Sequence, residues 1–258
     1  MESKFEHKVS RGSRFNQIYV PKGMERIFEA GDIVEVRLVK KKELYYSTNL
    51  DSRKIGEFKE GIIRRILSHL GEFKEIRQAF VVGSFLTQKT EYNDIDVLLI
   101  TNNKFVENRA YVYLSGKIQL KFHVIAIPEE RFVEILKICP MTRSMMQYFA
   151  SDKEFKLPVK SEMDSNHIEF LLMMPEDLLK LNISGGRVYF DAVRRLITIG
   201  RFMEGKLLDS IVIDSELKII LGKAFYDLSK RNESFSEKAL ENVREIIRRE
   251  IERIRKRL

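Results

Sequence analysis

The stretch VVGSFLTQKTEYNDIDVLLI, residues 81–100, holds two short apolar runs separated by a polar connector. The first run, AFVVGS, ends in Gly83-Ser84. The second, DIDVLLI, opens on Asp94 and Asp96. Both runs are short, apolar and bounded by polar residues, which is the pattern of strands buried in a sheet. Side chains at i and i+2 of a strand share a face, so Asp94 and Asp96 are expected to project together. Two like charges held close in a partly buried place repel one another and resist desolvation. A divalent cation removes that difficulty, and hard oxygen ligands are what Mg²⁺ prefers.

Working outward, IGEFKEGIIRRILSHL places Ile55, Phe58, Ile62, Ile63, Ile66, Leu67 and Leu70 on one helical stripe, with Gly71 placed to end it. After the Asp-x-Asp run, AYVYL and KIQLKFHVIAIP read as two further strands with Ser115-Gly116 as the turn between them. The order helix, strand, connector and three strands predicts a mixed sheet covered by helices. Before residue 51 the chain alternates in short runs, and Ile33, Val34, Val36, Leu38 and Val39 form a β-rich stretch behind the turn signal Gly31-Asp32. Beyond residue 130 the pattern is helical. EERFVEILKIC is stopped by Pro140, and Pro175 suits the first turn of PEDLLKLN. RVYFDAVRRLITIGRFMEGKLL repeats apolar residues every three or four positions, and the last helix carries the stripe Val243, Ile247, Ile251, Ile254, Leu258. The expected architecture is therefore α+β. It comprises a small β-rich unit over 1–50, a mixed-sheet core over 51–130 and a helical domain over 131–258.

Gly83 lets the backbone come close to a ligand, and the turn after it presents N–H groups to phosphate, with Ser84 adding a hydroxyl. Phosphates held there would sit above the carboxylates of the next strand. In phosphoryl and nucleotidyl transfer, paired metals bridge the attacking and leaving oxygens.

Strand, Gly83-Ser84, residues 85–93, then Asp94-Ile95-Asp96 on the next strand resembles the DNA polymerase β-like nucleotidyltransferase superfamily. The resemblance covers about residues 60–130. It implies transfer of a nucleoside monophosphate from a nucleoside triphosphate such as ATP to an acceptor. It further implies Mg²⁺ or Mn²⁺ on Asp94 and Asp96, and Gly83 and Ser84 on the β- and γ-phosphates. The family also supplies a third carboxylate from a later strand. The corresponding strand here is KIQLKFHVIAI, whose candidate positions hold Gln119, Lys121 and His123. Glu129 and Glu130 lie beyond Pro128 and are expected to open a helix. Either His123 serves as general base, a task its ordinary pKa suits, or the chain has lost its acid and binds a nucleotide or nucleic acid without turnover. Helical domains appended to such cores hold the acceptor or close over the nucleotide, which would bring Arg187, Arg194, Arg195 and Arg201 near the phosphates.

The N-terminal IYVPKGMERIFEAGDIVEVRLV, with Pro21 and Gly31-Asp32, resembles the swapped-hairpin DNA-binding domains of bacterial and archaeal transition-state regulators. The alternative is a β extension packed on the main domain.

Composition is consistent with these readings. The 258 residues carry 46 Lys and Arg against 38 Asp and Glu, a net charge of +8 compatible with a nucleic-acid or polyphosphate partner. RREIERIRKRL at the end of the sequence offers six basic residues to RNA or DNA phosphates, and its isoleucine stripe offers a packing or oligomerising face. A single cysteine, Cys139, no apolar stretch of membrane-spanning length and a start without an apolar signal core point to a cytoplasmic protein. The four histidines match no zinc spacing, and no P-loop, Gly-x-Ser-x-Gly or Rossmann glycine pattern occurs.

Overall fold

A computed structural model describes the chain except residues 1–4, 38, 40–42, 52, 53, 89–91, 93, 104, 159, 182–184, 232 and 234. It forms two compact units, residues 1–42 and 43–258.

In the first unit β1 (Ser10–Arg11) pairs antiparallel with β2 (Asn16–Gln17). The expected strand over 33–39 does not form among its described residues. Ile33, Val34, Val36 and Val39 belong to no strand and lie exposed. A β-rich composition alone does not make a strand, because the backbone groups need a neighbour to bond. Leu38 lies outside the described residues.

The second unit is built on a five-stranded mixed sheet in the order β3-β7-β4-β5-β6: β3 (Tyr45–Tyr46), β7 (Phe149–Ser151), β4 (Ile76–Val82), β5 (Ile95–Thr101) and β6 (Phe122–Pro128). β4 runs antiparallel to β5 and β7, and β5 runs parallel to β6. The fold is thus mixed α and β, as expected. The sheet draws β3 from before residue 51 and β7 from after residue 130.

One expected strand is a helix. Residues 110–114 belong to α2 (Val106–Ile118), following α1 (Glu57–Leu70), and the supposed turn Ser115-Gly116 lies inside it. Val106, Ala110, Leu114 and Ile118, four residues apart, are buried on the sheet, while Tyr111 and Val112 are exposed. A five-residue window rich in β-formers hid this longer period. Parallel β5 and β6 also require a crossover, which α2 supplies. Gln119, in the left-handed region at φ 61°, ends the helix, so it is not a strand residue.

Alternation along the strands divides the core. Ala79, Val81, Ile95, Val97, Leu99 and Val124 pack under α1 and α2. Phe80, Val82, Leu98, Ile100 and Ile127 pack on the other face, against Phe132 and Leu136 of α3 (Glu129–Ile138) and against Phe149. Ile63, Ile66 and Phe80 are fully buried, each worth about 1.5–3 kcal/mol of transfer free energy. Phe58, read as part of the stripe on α1, is 76% exposed instead.

A second core is helical: α4 (Pro140–Met145), α5 (Ser165–Lys180), α6 (Gly186–Met203), α7 (Ser210–Leu221), α8 (Lys223–Lys230) and α9 (Glu237–Arg255). Pro140 opens α4, as its fixed φ favours. Pro175 lies inside α5 rather than at its start, because the helix begins ten residues earlier under the Asp164 cap. Proline cannot bond the carbonyl four residues back, and Arg195 donates to that Leu171 carbonyl at 3.4 Å. Val243, Ile247, Ile251 and Ile254 are buried in this core, so this part of the stripe packs within the chain, whereas Leu258 is exposed. The hydroxyl of Tyr148 donates to Asp209, the cap of α7, which ties the region beside β7 to the helices. No helix among the described residues is long and apolar enough to cross a membrane.

Candidate active site

β4 ends at Val82, which pairs with Asp96 near the start of β5. Between the strands the chain makes a 3₁₀ turn, Gly83–Leu86, anchored by the buried Phe85 and Leu86. Gly83 has φ +80°, where a side chain is strained. A Cβ at this position would stand 2.5 Å from Oδ2 of Asp96, so no other residue fits without a shift. The turn is braced from within. The Ser84 carbonyl accepts from the Thr87 backbone N–H at 3.0 Å and from the Thr87 hydroxyl at 2.7 Å.

Strand parity puts Asp96 on the face of Leu98 and Ile100, at the end of the sheet opposite the N-terminus of α3. On β6 the residue in register with Asp96 is His123. Its Nδ1 lies 3.0 Å from Asp96 Oδ1, and its side chain is 57% exposed against 26% for Asp96. Of the three β6 candidates, then, one reaches the carboxylates. Gln119 caps α2, and Lys121 contributes its backbone carbonyl to the Ile95 N–H at 2.9 Å. Glu129 and Glu130 do open a helix. Glu129 pairs with Arg77 at 3.3 Å, near the other end of β4. Six residues along a strand is roughly 20 Å, so neither acid joins the site.

Burial raises the Asp96 pKa above the ordinary carboxylate value. The hydrogen bond from His123 opposes that rise, the charge of Asp94 adds to it, and the charge of Arg194 counters it. Asp94 is exposed just ahead of β5. The two acids therefore sense one another electrostatically, with His123 and Arg194 partly offsetting the effect at Asp96. Among the described residues no group of three or more His, Cys, Asp or Glu side chains is arranged to hold a metal ion. Asp94 acts on Asp96 through its charge, and His123 is bonded to Asp96.

Of the four arginines singled out on α6, only Arg194 influences Asp96. Arg187 pairs with Asp191 at 3.1 Å, Arg195 serves the Leu171 carbonyl, and Arg201 binds Glu216 and the Leu207 carbonyl. Arg194 lies 3.9 Å from Asp214 of α7, and Lys230 of α8 lies 3.9 Å from the other oxygen of Asp214. Asp214 and Lys230 were not foreseen. Asp214 is one of two acids in the otherwise largely apolar run SIVIDSELKIIL, and nothing in the sequence pointed to Lys230.

Several arginines of the basic C-terminal segment are paired with acids. Arg248 pairs with Glu241 and Glu245, Arg253 with Glu204 and Glu250, Arg255 with Glu169 and Glu176, and Arg257 with Glu204. The open depression beside Phe73, Arg109 and Tyr113 lies at the opposite end of β4 from Gly83; in it Arg109 pairs with Glu75 and the Tyr113 hydroxyl donates to Glu72. Compared with protein-family models, curated proteins and solved structures, the chain matches none.

Proposed function

We propose that the protein is a divalent-metal-dependent nucleotidyltransferase, moving a nucleoside monophosphate from a nucleoside triphosphate to an acceptor. The observation that carries this reading is the seating of Asp96 directly beneath Gly83. The Gly-Ser turn and the Asp-x-Asp strand meet through that one contact. The nucleotidyltransferase-like core is part of the same proposal. Asp94 and Asp96 would hold Mg²⁺ or Mn²⁺. Mg²⁺ is commonly bound through one or two carboxylates plus substrate phosphates rather than an all-protein cage, which suits a two-carboxylate set. When bound, such a cation neutralises phosphate charge and polarises the phosphoryl oxygens.

The remaining roles fall to the chain itself. Gly83 gives a phosphate access to the backbone, Ser84 supplies a hydroxyl, and Arg194 contributes positive charge from the helical side. In the transfer a bond forms between the acceptor oxygen and the α-phosphorus. The bond from that phosphorus to the bridging oxygen breaks, and pyrophosphate leaves. The acceptor proton goes to Nε2 of His123. Asp96 accepting from Nδ1 fixes the tautomer that leaves Nε2 basic.

A second reading has one observation behind it: the residue beside Asp96 on β6 is a histidine where a carboxylate is expected. Under it the protein binds a nucleotide or nucleic acid and does not turn over. The experiment is thermal shift with triphosphate and Mn²⁺, together with transfer of α-labelled nucleoside triphosphate to RNA, DNA, protein and small-molecule pools. A Mn²⁺-dependent shift with label transfer supports the enzyme. A shift with no transfer supports the binding module, and no shift with triphosphate, nor with added RNA or DNA, rejects both.

A further inference from the structure

The polar connector that joins Gly83-Ser84 to Asp94 is gripped near both ends by a side chain from another element. Lys59 of α1 is half-buried, and its Nζ donates to the Thr87 carbonyl at 2.8 Å. The same ammonium lies 5.3 Å from the centroid of Phe85, the residue after Ser84, and 5.5 Å from that of Tyr92, two before Asp94. The two rings meet edge to face at 4.9 Å. A cation shared between two aromatic faces binds each through the ring quadrupole, and more strongly where water is excluded. Thr87 in turn closes the turn through its two bonds to the Ser84 carbonyl. Burial lowers the Lys59 pKa from the ordinary ammonium value. The ammonium is thus held where desolvation disfavours it.

We propose that Lys59 is a positioning residue. It ties the Ser84 end of the connector to the Asp94 end, and so sets the separation between the phosphate turn and the carboxylate pair. This rests on reading that turn as a triphosphate site. Lys59 touches none of Gly83, Asp94 or Asp96 itself. It acts through Phe85, Thr87 and Tyr92. A methionine would keep the apolar stem and remove the charge and the donor, whereas arginine keeps both and stacks on rings.

The test compares wild type, Lys59→Met and Lys59→Arg in the full chain. The first arm is amide hydrogen exchange, read at Thr87 in the turn and at Ile247 in the helical core. Loss of the bond and the cation–π contacts is expected to speed exchange at Thr87 by about tenfold in Lys59→Met, with Ile247 unchanged. The second arm is titration with Mn·ATP, where the same variant is expected to raise Kd by about tenfold and Lys59→Arg to stay within about twofold of wild type. Unchanged exchange at Thr87, or acceleration at Thr87 and Ile247 alike, overturns the proposal. So does an unaltered Kd in Lys59→Met. Failure of wild type to bind Mn·ATP refutes the triphosphate reading instead, and the exchange arm then decides by itself whether Lys59 holds the turn.

Discussion

Asp96 and His123, 27 residues apart in sequence, meet across two parallel strands with Nδ1 3.0 Å from Oδ1. Register alone brings them together, since each stands opposite the other in the β5–β6 ladder. A carboxylate that orients an imidazole is a device for holding one tautomer, and the outward nitrogen is then the basic one. The same bond commits one oxygen of Asp96, which leaves Oδ2, beside Gly83, for anything bound under the turn.

Removing the imidazole separates binding from chemistry. His123→Ala is expected to keep Mn²⁺-dependent triphosphate binding and to lower transfer about 10²–10⁴-fold, the usual worth of a general base. Transfer rates and titration on the same preparation check this, and transfer indifferent to the substitution rules His123 out as the base.

Placing a carboxylate at the same register position should reverse the balance. His123→Asp sets a like charge beside Asp96, so the metal-free protein is expected to melt lower than wild type. Millimolar Mn²⁺ should restore the melting temperature, because a cation bound only to the folded state stabilises it by mass action. Calorimetry with and without Mn²⁺ reads both effects.

The carboxylates themselves are tested by Asp94→Asn combined with Asp96→Asn. At triphosphate one hundred times Kd, wild type should gain about 2.7 kcal/mol in the presence of Mn²⁺. The double variant should gain none. A shift that persists undiminished means the acids are not ligands.

Gly83→Ala combines a left-handed backbone with a Cβ 2.5 Å from Oδ2 of Asp96. The expected loss is about 1–3 kcal/mol of stability, measured by urea unfolding, along with triphosphate binding. Asp96→Asn does not relieve it, because the amide group is as large as the carboxylate.

At the far end of the helical core, the Lys206 ammonium and the Arg257 guanidinium hold the Glu204 carboxyl down to about 2. A depressed carboxyl stabilises the fold above its unfolded value of 4.5, and the gain is lost as pH falls toward 2. Glu204→Gln should therefore be less stable than wild type at neutral pH. The difference should close between about pH 4.5 and 2. Unfolding curves across that range check the sign.

Legibility in the sequence tracked the length of the pattern. β4 and β5 are seven residues each and carry the apolar runs AFVV and VLLI, so both strands could be read directly. The helical stripe of α1 was legible for the same reason. α2 was misread because of the strong β preference of YVY, of which Tyr111 and Val112 are exposed and Tyr113 packs on His69 and Phe73. β3 and β7, at two and three residues, are too short for any periodicity; β7 forms on the edge that β4 offers, and β3 on the edge of β7. Within the site, spacing singled out Gly83, Ser84, Asp94 and Asp96. His123 emerged as a candidate, but only the parallel register sets it on Asp96. Arg194 was one of four equivalent arginines until the packing of α6 distinguished it. Lys59 left no mark in the sequence, since its partners lie 26 to 33 positions downstream.

The short strand β7 has a consequence for anyone trimming this protein. Phe149–Ser151 is hydrogen-bonded to Phe80–Val82, the last residues before the glycine turn. A fragment ending near residue 130 would strip that cover from β4 and leave a hydrophobic edge with unbonded amides, a template for chain-to-chain pairing. Such a fragment should precipitate or form ladders of oligomers even though its own helices and strands are complete. A cut between residues 42 and 43 spares the sheet, and the remaining 43–258 segment should stay in solution.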